Sequence, residues 1–395
     1  MGSARSSPSA TTPGGREPSR RSWLAPCPPR WSRRRPRRPT TGHTWRRDVF
    51  GSSRASWVSG GPVAEPVGPA ASSAVARTSP RVAIVVLHFD QREALIACLE
   101  SCRRIAYRDY EVIVVENGSP AEPSGLLATG FGADVRVLRS PVNLGYAKGN
   151  NLGIREACRR GADYVLLLND DAVVTPEFLG VLVDVGERAE DIGALGPVVV
   201  HADDPTRIAF AGARFDGGLG DIRTFEDEAR ALHDRATLDS DYVTGCCLLM
   251  RRAALERVGL LDEGFFLYWE DTDWGLRVKA SGLRNVVVCG GRVGHRVSAT
   301  AGGLGSPLRV YHRTRSHLRF ARRHAPDALA RLHRRFARDV AWLALKSTGP
   351  DRVRAARAIL AALRDYHLGR TGAGPAWIWR ARRLSRLNTH RRTPQ

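Results

Sequence analysis

Two clusters of acidic residues are the part of this sequence best suited to chemistry. The first, Asn169-Asp170-Asp171, directly follows an apolar run. Two hard oxygen ligands at the end of a strand suit Mg²⁺ or Mn²⁺, because such ions are usually held through one or two carboxylates together with substrate phosphates. The same residues could instead form a polar turn or a helix cap ahead of Thr175-Pro176-Glu177. The residues alone leave both interpretations open.

The second cluster is Glu270-Asp271-Thr272-Asp273, which stands between an aromatic-rich stretch at 264–269 and Trp274. Crowded carboxylates repel one another, and burial among aromatic rings raises the pKa of at least one of them. Carboxyl groups with raised pKa values are candidates for general base catalysis. The alternative is an acidic helix N-terminus, which the helix dipole would stabilise.

Alternating strands and helices must position these clusters. Residues 82–87 are a continuous apolar run rich in β-branched side chains, which is typical of a parallel strand covered on both faces. Asp90 is placed to cap a helix at 91–104. Further strands are predicted at 111–115, 135–138 and 164–168, and a further helix at 145–160. This alternation predicts an α/β fold with a doubly wound, mostly parallel sheet.

Polar residues stand where each predicted strand ends. They are His88-Phe89-Asp90, Glu116-Asn117-Gly118-Ser119, Asn143 and Asn169-Asp170-Asp171. Ligands of parallel α/β sheets bind beyond the carboxyl ends of the strands, where such side chains meet. The sequence therefore predicts a ligand site at this edge of the sheet.

The positive charge of the chain is concentrated in its two flanks. The formal net charge is +21, to which residues 1–80 contribute +11 and residues 306–395 contribute +18, while the middle carries −8. A nucleic-acid-binding protein would need this charge on its folded face, so no nucleic-acid partner is expected. Basic flanks suit an anionic surface such as lipid headgroups, or serve solubility.

Composition divides the chain into three regions. Residues 1–80 are rich in Arg, Pro, Ser and Gly without a hydrophobic period, which predicts a disordered basic tail. Residues 81–305 form the predicted α/β domain, and residues 306–395 a basic amphipathic helical extension with helices at 327–346 and 351–368. These helices could lie on a membrane surface or pack on the α/β domain.

The sequence favours a cytoplasmic location. The seven cysteines form no CxxC pair, and most lie in apolar surroundings, as reduced thiols do. Arg20-Arg21 resembles a twin-arginine export signal, but no apolar segment follows it. Because no apolar run reaches the length of a membrane span, we expect a cytoplasmic protein with peripheral contact to the inner face of the plasma membrane.

A series of motifs runs in order through residues 81–320. It comprises the strand at 82–90, Val114-Val115-Glu116-Asn117-Gly118-Ser119, Asn143-Leu144-Gly145-Tyr146-Ala147-Lys148-Gly149-Asn150-Asn151, Leu168-Asn169-Asp170-Asp171, Thr244-Gly245-Cys246-Cys247, the stretch 261–273, His295 and the stretch 311–319. The series resembles the family 2 glycosyltransferases with a GT-A fold, particularly their bacterial rhamnosyltransferase-like branch. The resemblance implies an enzyme that transfers a sugar from a nucleotide-sugar donor.

The resemblance also implies where that donor would bind. Glu116, at a position where the family usually has Asp, would accept the N3–H of a pyrimidine base. Asn143 and the turn at Gly145 would bring backbone and amide groups near the ribose and diphosphate, at a helix N-terminus. The donor would be a dTDP- or UDP-sugar, with dTDP-rhamnose as one candidate. Further donor-site residues would be His88, Asp90, Lys148, Asn150 and Asp170.

A divalent metal is implied beside the donor. Asn169 stands at the first position of the family's DxD-type motif, so contact with Mg²⁺ or Mn²⁺ would fall chiefly on Asp171. His295 resembles the downstream histidine that can complete the metal shell of this family. A lone histidine can equally be a structural residue of the core.

The second acidic cluster would supply the base. Asp271 would take the proton of an acceptor hydroxyl in a single displacement that inverts the anomeric centre, and Glu270 and Asp273 would orient Asp271 or the acceptor. The acceptor would be a cell-envelope glycan or a lipid-linked substrate. Residues on the acceptor side would be Thr244, Gly245 and Trp269.

Two other kinds of enzyme share parts of this pattern. A sugar nucleotidyltransferase would have a glycine-rich, basic loop after the first strand, whereas residues 88–93 contain no glycine. A dehydrogenase would have a GxGxxG motif at the same place, and this motif is absent. A glycosyltransferase therefore remains the interpretation that the motifs favour.

Overall fold

A computed structural model describes residues 79–120, 131, 135–225, 237–296, 306–345 and 350–379. The tail predicted to be disordered, residues 1–80, lies outside these ranges except for its last two residues. The strands β1 to β12 are Val82–His88, Tyr110–Asn117, Val135–Ser140, Tyr164–Asn169, Ala172–Val174, Ile192–His201, Asp204–Phe210, Ala213–Asp216, Asp221–Thr224, Thr237–Ser240, Cys247–Arg251 and Arg284–His295. The α-helices α1 to α8 are Arg92–Cys102, Tyr146–Arg159, Phe178–Glu187, Arg252–Val258, Glu270–Ala280, Pro307–His324, Leu329–Leu345 and Pro350–His367.

A ten-stranded sheet forms the centre of the described part of the chain. Its main path runs β10-β12-β6-β11-β4-β1-β2-β3, with β5 paired to β12 and β7 paired to β6. Strand β1 pairs in parallel with β2 and β4, β2 with β3, and β6 with β12. Strands β11 and β10 run antiparallel to their neighbours. The predicted α/β class with a mostly parallel central sheet is confirmed.

Strand β1 carries apolar side chains to both faces of the sheet. Val82, Ile84 and Val86 belong to the core that α1 covers, whereas Ala83 and Val85 belong to the core that α2 covers. This explains the unbroken apolar run, because a strand buried on both faces cannot alternate with polar residues. The layers hold the carboxyl end of β1 next to those of β2 and β4.

The predicted cap of the first helix is wrong. Helix α1 begins after Gln91, and no side chain caps its N-terminus. Asp90 instead adopts a left-handed conformation with φ of 59°, and its N–H donates to Ser119 Oγ at 2.9 Å. The contact ties the loop after β1 to the loop after β2, so Asp90 joins two loops rather than beginning a helix.

The helices after residue 305 pack on the sheet domain and on one another. Helix α6 is anchored to α5, because Arg323 and His324 both contact Asp273 at 2.7 and 2.8 Å. Helices α7 and α8 pack on α6 through apolar side chains that include Leu318, Phe336 and Ile359. Among the described residues, no helix is both long enough and apolar enough to cross a membrane.

Candidate active site

The turn before α2 is held by the side chain of Asn117. Its amide donates to Asn143 Oδ1 and to the Gly145 carbonyl at 3.2 and 3.3 Å, and its oxygen accepts the N–H of Leu144 at 2.9 Å. Gly145 has φ of 82°, and a Cβ atom there would lie 2.4 Å from the carbonyl oxygen of Phe266. Only glycine satisfies both demands, so this turn and the N-terminus of α2 are fixed beside the end of β2.

The two aspartates after β4 face different partners. Asp170 Oδ2 lies 2.8 Å from His88 Nδ1, and both side chains are buried. Burial raises the pKa of Asp170, although the hydrogen bond with His88 opposes this effect. The pair joins the ends of β1 and β4, and the Nδ1 atom of His88 is engaged by Asp170.

Asp171 faces His295 across the β5–β12 pairing. Its Oδ1 lies 3.0 Å from His295 Nε2, and His295 stands in register with Ala172. Burial opposes the charged form of His295, yet the neighbouring Cys246 and Asp171 raise its pKa well above the ordinary value. One carboxylate oxygen and one imidazole nitrogen therefore lie side by side as an ion pair.

This pair can serve as part of a metal site. Among the described residues no group of three or more His, Cys, Asp and Glu side chains could hold a metal ion by itself. A divalent ion that also binds substrate phosphates needs only one or two protein ligands, the remainder being phosphate oxygens and water. Asp171, together with His295 in its deprotonated form, would provide such a partial donor set for Mg²⁺ or Mn²⁺.

Asp271 lies at the start of α5 and is fixed by hydrogen bonds from the backbone. Its Oδ2 accepts the N–H of Gly245 at 2.8 Å, and its Oδ1 accepts the N–H of Thr272 at 2.7 Å. Burial raises the pKa of Asp271, and these hydrogen bonds partly counter the effect. The result is an oriented, poorly solvated carboxylate, which is the form that a general base requires.

Glu270 differs from its neighbour. Its side chain is buried, and burial together with the charge of Asp271 raises the pKa of Glu270 well above the ordinary value. Its Oε2 has no hydrogen-bond partner among the described residues. The unpaired oxygen therefore stands beside Asp271 where a substrate hydroxyl could donate to it.

Asp273 has charged partners that the other two carboxylates lack among the described residues. It is fully buried and contacts Arg277 at 2.9 Å within α5, as well as Arg323 and His324 of α6. Burial alone would raise the pKa of Asp273, but His324 and the two arginines lower it to about 2. Asp273 therefore holds α5 against α6.

Two adjoining cavities open along this edge of the sheet. The larger, of about 740 Å³, is lined by Thr244, Gly245, Glu270 and Asp271 together with residues of β6 and β7. The smaller, of about 260 Å³, is lined by residues at the ends of β1, β2 and β4 and by three residues after position 305. Five residues line both cavities: Tyr146, Asn169, Leu267, Tyr268 and His295. The first acidic cluster therefore stands at the junction of the two cavities.

Asn143, Gly145, Asp170 and Asp171 line the smaller cavity, as their predicted donor-site roles require. His88 lies beneath it in contact with Asp170. Thr244 and Gly245 line the larger cavity beside Asp271. These positions agree with the sequence prediction, although the roles themselves remain predictions.

Other predicted site residues do not line either cavity. Glu116 is buried and accepts the N–H of Ser119 at 2.9 Å. Asn150 donates to the carbonyl of Tyr146 at 3.0 Å within α2, and Lys148 is exposed on the same helix. Trp269 stacks on His317 with 4.2 Å between ring centroids, so it lies in the core between α5 and α6. Asp90 likewise lies in the loop contact described above.

Sequence reasoning missed several residues that line the cavities. His201 and Arg207 come from β6 and β7, which no motif marked. Arg309 and Trp379 come from the helical extension, and Phe89 lies within a motif whose polar members drew attention instead. Isolated arginines and aromatics give no signal in a single sequence, so only the fold brings them to the site.

Comparison with known proteins decides the family. The model of "Glycosyl transferase family 2" matches residues 83–259. Residues 83–259 form a family 2 glycosyltransferase domain. This match spans β1 through the end of α4, and it includes the Asn143–Gly145 turn, Asp170 and Asp171. The predicted family is confirmed for this segment, whose strands and helices form the α/β sheet described above.

Relatives of this glycosyltransferase include a rhamnosyltransferase. It is 27% identical over 264 residues to N-acetylglucosaminyl-diphospho-decaprenol L-rhamnosyltransferase of Mycobacterium tuberculosis, covering 61% of this chain and 84% of that protein. It is 31% identical over 242 residues to an uncharacterised protein, y4gI, of Sinorhizobium fredii, covering 58% of this chain. The match spans only 26% of the length of y4gI. The predicted rhamnosyltransferase-like character is thereby supported.

Among solved structures, the chain resembles GalNAc-T7 crystallised with UDP, GalNAc and Mn²⁺. The TM-score is 0.49 at 17% identity, and the match covers 60% of this chain and 47% of that one.

Proposed function

We propose that this glycosyltransferase is an inverting, metal-assisted enzyme that transfers a sugar, with rhamnose as the first candidate, from a dTDP- or UDP-sugar. The acceptor is a hydroxyl group of a cell-envelope glycan or a lipid-linked substrate. The observation that carries this proposal is the junction of the two cavities, with Asp171 on one side and Asp271 on the other. A donor in the smaller cavity would then present its anomeric carbon to an acceptor in the larger one.

The reaction follows from this arrangement. Asp271 takes the proton of the acceptor hydroxyl while that oxygen attacks the anomeric carbon. The bond from this carbon to the phosphate oxygen breaks, and its electron pair leaves with the nucleoside diphosphate. Attack opposite the leaving group in one step inverts the anomeric configuration. General base assistance of this kind contributes about 10²–10⁴-fold, and positioning contributes further.

The neighbours of Asp271 have supporting roles in this proposal. The N–H groups of Gly245 and Thr272 aim its carboxylate, and Tyr146 links Gly245 to α2 through a hydrogen bond to the Gly245 carbonyl. Glu270 orients the acceptor through its Oε2 atom at the larger cavity. Asp273 orients Asp271 indirectly, because it holds α5 in place.

Asp171 and His295 would hold the divalent metal. When bound, Mg²⁺ or Mn²⁺ would act as a Lewis acid and neutralise charge that develops on the departing diphosphate. The turn at Asn143 and Gly145 would contribute backbone and amide groups to the same phosphates.

The larger cavity favours an acceptor that carries negative charge. Arg207 and His201 line it together with the catalytic carboxylates. A relative acts on a diphospho-decaprenol substrate, and the diphosphate of such a lipid-linked acceptor would be attracted to Arg207. We therefore include a lipid diphosphate glycan among the acceptors.

The helical extension would bring the enzyme to a lipid surface. Trp342, Leu345 and Val353 are exposed around the end of α7 and the start of α8. Arg352 lies with its guanidinium 5.5 Å from the ring centroid of Trp342. Exposed aromatic and aliphatic side chains among arginines suit the interface of an anionic membrane. We propose contact with the inner face of the plasma membrane.

The test of the proposed function is a panel of nucleotide sugars with Mg²⁺ or Mn²⁺, in which release of nucleoside diphosphate is measured. Asp271→Asn should lose at least about 100-fold in kcat, because the amide cannot accept the proton. Asp184→Asn, on the exposed face of α3, is the matched control and should retain full activity. Full activity of Asp271→Asn would show that Asp271 is not the base. Turnover in the presence of excess chelator would show that the reaction does not need a metal ion.

A further inference from the structure

A short segment after α8 completes the wall of the smaller cavity. Residues 370–379 follow α8, and the last of them, Trp379, lines this cavity together with Phe89, Asn117, Asn143 and Asp171. The family model ends at residue 259, so this wall lies outside the part of the chain that defines the family. The segment 370–379 is called the C-terminal strap below.

The C-terminal strap is firmly attached to α6. Arg315 donates to the carbonyl oxygen of Gly372 at 2.5 Å. Gly374 has φ of 73° and stands against the ring of Tyr311, where a Cβ atom would lie only 2.4 Å from a ring carbon. Ile378 is fully buried among side chains of α6 and α8. These contacts determine where Trp379 lies.

Trp379 belongs to an aromatic group that borders the cavity. Its ring centroid lies 6.2 Å from that of Phe89 and 6.1 Å from that of Phe266, with nearly perpendicular rings. Phe266 in turn stacks on His312 at 4.9 Å. The indole N–H of Trp379 is occupied by the carbonyl of Ala373 at 2.9 Å. Trp379 is only half-buried, so part of its apolar ring remains available to a ligand.

The position of this group relates it to the donor. Phe89 directly follows β1, and Asn117 and Asn143 stand at the ends of β2 and of the loop after β3. Nucleotides of parallel α/β sheets bind at such strand ends. The aromatic group therefore lines the same cavity as Asp170 and Asp171. A nucleoside needs a π-face contact of this kind, whereas a diphosphate does not.

We propose that Trp379 of the C-terminal strap, together with Phe89, binds the nucleobase of the donor. The inference rests on the proposed nucleotide-sugar donor and adds a binding residue from the helical extension. Base contacts of this type require no base-specific hydrogen bond, so Trp379 contributes affinity for both uracil and thymine nucleotides. The helical extension is thereby a part of the donor site as well as a packing element.

The test compares ligands with and without a base. The full chain is titrated by calorimetry, in the presence of Mn²⁺, with dTDP, with UDP and with inorganic pyrophosphate. Trp379→Ala should weaken both nucleotides about tenfold, which is the size of one aromatic contact to a base. The affinity for pyrophosphate should stay unchanged, because that ligand has no base to lose contact with.

Trp377→Ala is the matched control. Trp377 lies in the same strap, but it packs under Arg357 at 4.7 Å and does not line the cavity. If Trp379 served only to anchor the strap, the two alanine variants would weaken nucleotides alike. Equal nucleotide affinity of wild type and Trp379→Ala would also overturn the proposal.

A second variant covers the case in which Trp379→Ala does not fold. Trp379→Phe keeps an aromatic ring but removes one indole, so the fluorescence change that dTDP causes in the wild type should shrink in this variant while binding persists. An unchanged fluorescence response would overturn the proposal. If the wild type itself binds neither nucleotide, the proposed donor fails, and this outcome differs from one in which only the role of Trp379 fails.

Discussion

The three carboxylates of the second acidic cluster show how burial and partners divide residues of one type among different tasks. Asp271 accepts two backbone N–H groups and lines the larger cavity. One oxygen of Glu270 has no hydrogen-bond partner among the described residues, and the pKa of Glu270 is raised by burial and by Asp271. Asp273 is neutralised by a histidine and two arginines. The sequence shows only their crowding, because partners from α6 are fifty residues away.

Arg207 offers a test of the acceptor at the residue scale. Arg207→Gln should raise KM about two- to fivefold for an acceptor that carries a diphosphate, which is the effect of losing one exposed charge contact. KM for the nucleotide sugar and for a phosphate-free glycoside acceptor should not change. The measurement is initial-rate kinetics with both kinds of acceptor.

The control for this variant is Arg188→Gln, an exposed position at the end of α3. It removes the same charge far from the cavity lining and should leave every KM unchanged. Equal losses with charged and uncharged acceptors would show that Arg207 shapes the cavity rather than binds a phosphate.

At the scale of elements, the buried contacts of Asp273 join α5 to α6. Asp273→Asn should lower the free energy of unfolding by about 2–3 kcal/mol, because it removes the carboxylate that compensates Arg323 and His324. Activity should fall as well, since Asp271 lies on the same helix. Urea denaturation checks the first effect, and kcat checks the second.

The same residue gives a dependence of stability on pH. The pKa of Asp273 is lowered to about 2 in the folded protein, against about 3.9 in an unfolded chain. The contribution of Asp273 to the free energy of unfolding is therefore complete above pH 4 and is lost as the pH falls through about 2.

The control for Asp273→Asn is Asp191→Asn, which breaks an exposed pair with Arg284. It should change the free energy of unfolding little, and an equal effect of both variants would contradict the role given to Asp273.

How far the elements could be predicted depends on how local their causes are. The strand at 82–87 could be predicted because its unbroken apolar run indicates burial on both faces. The helix at 145–160 could be predicted because its residues repeat with a helical period. The cap at Asp90 could not, since its backbone is held by Ser119 from another loop. Trp379 lies at the site because the C-terminal strap packs on α6 and α8, and no local sequence pattern predicts such packing.

At the scale of the whole molecule, the sheet domain and the helical extension contribute different residues to the site. The sheet domain provides Asp171 and Asp271 at one edge, while α6 and the C-terminal strap close the smaller cavity with Arg309 and Trp379. Exposed apolar side chains lie on the outer faces of α7 and α8, among them Leu345 and Leu360. Such side chains next to arginines are costly to leave in water, which favours a further surface as their partner.

An anionic membrane is that surface in our proposal, and vesicle binding tests it. The full chain should bind vesicles that contain phosphatidylglycerol more tightly than neutral phosphatidylcholine vesicles, and added salt should weaken the binding because salt screens the charge of the arginines.

The double variant Trp342→Ala, Leu345→Ala should lose about tenfold in affinity, since two large apolar side chains no longer enter the interface. Leu219→Ala removes an exposed apolar side chain from the β8–β9 turn and should bind as the wild type does. Flotation or sedimentation of vesicles measures each affinity. The same affinity for neutral and anionic vesicles, or an unaffected double variant, would show that α7 and α8 do not form the membrane contact and that their exposed side chains need another partner.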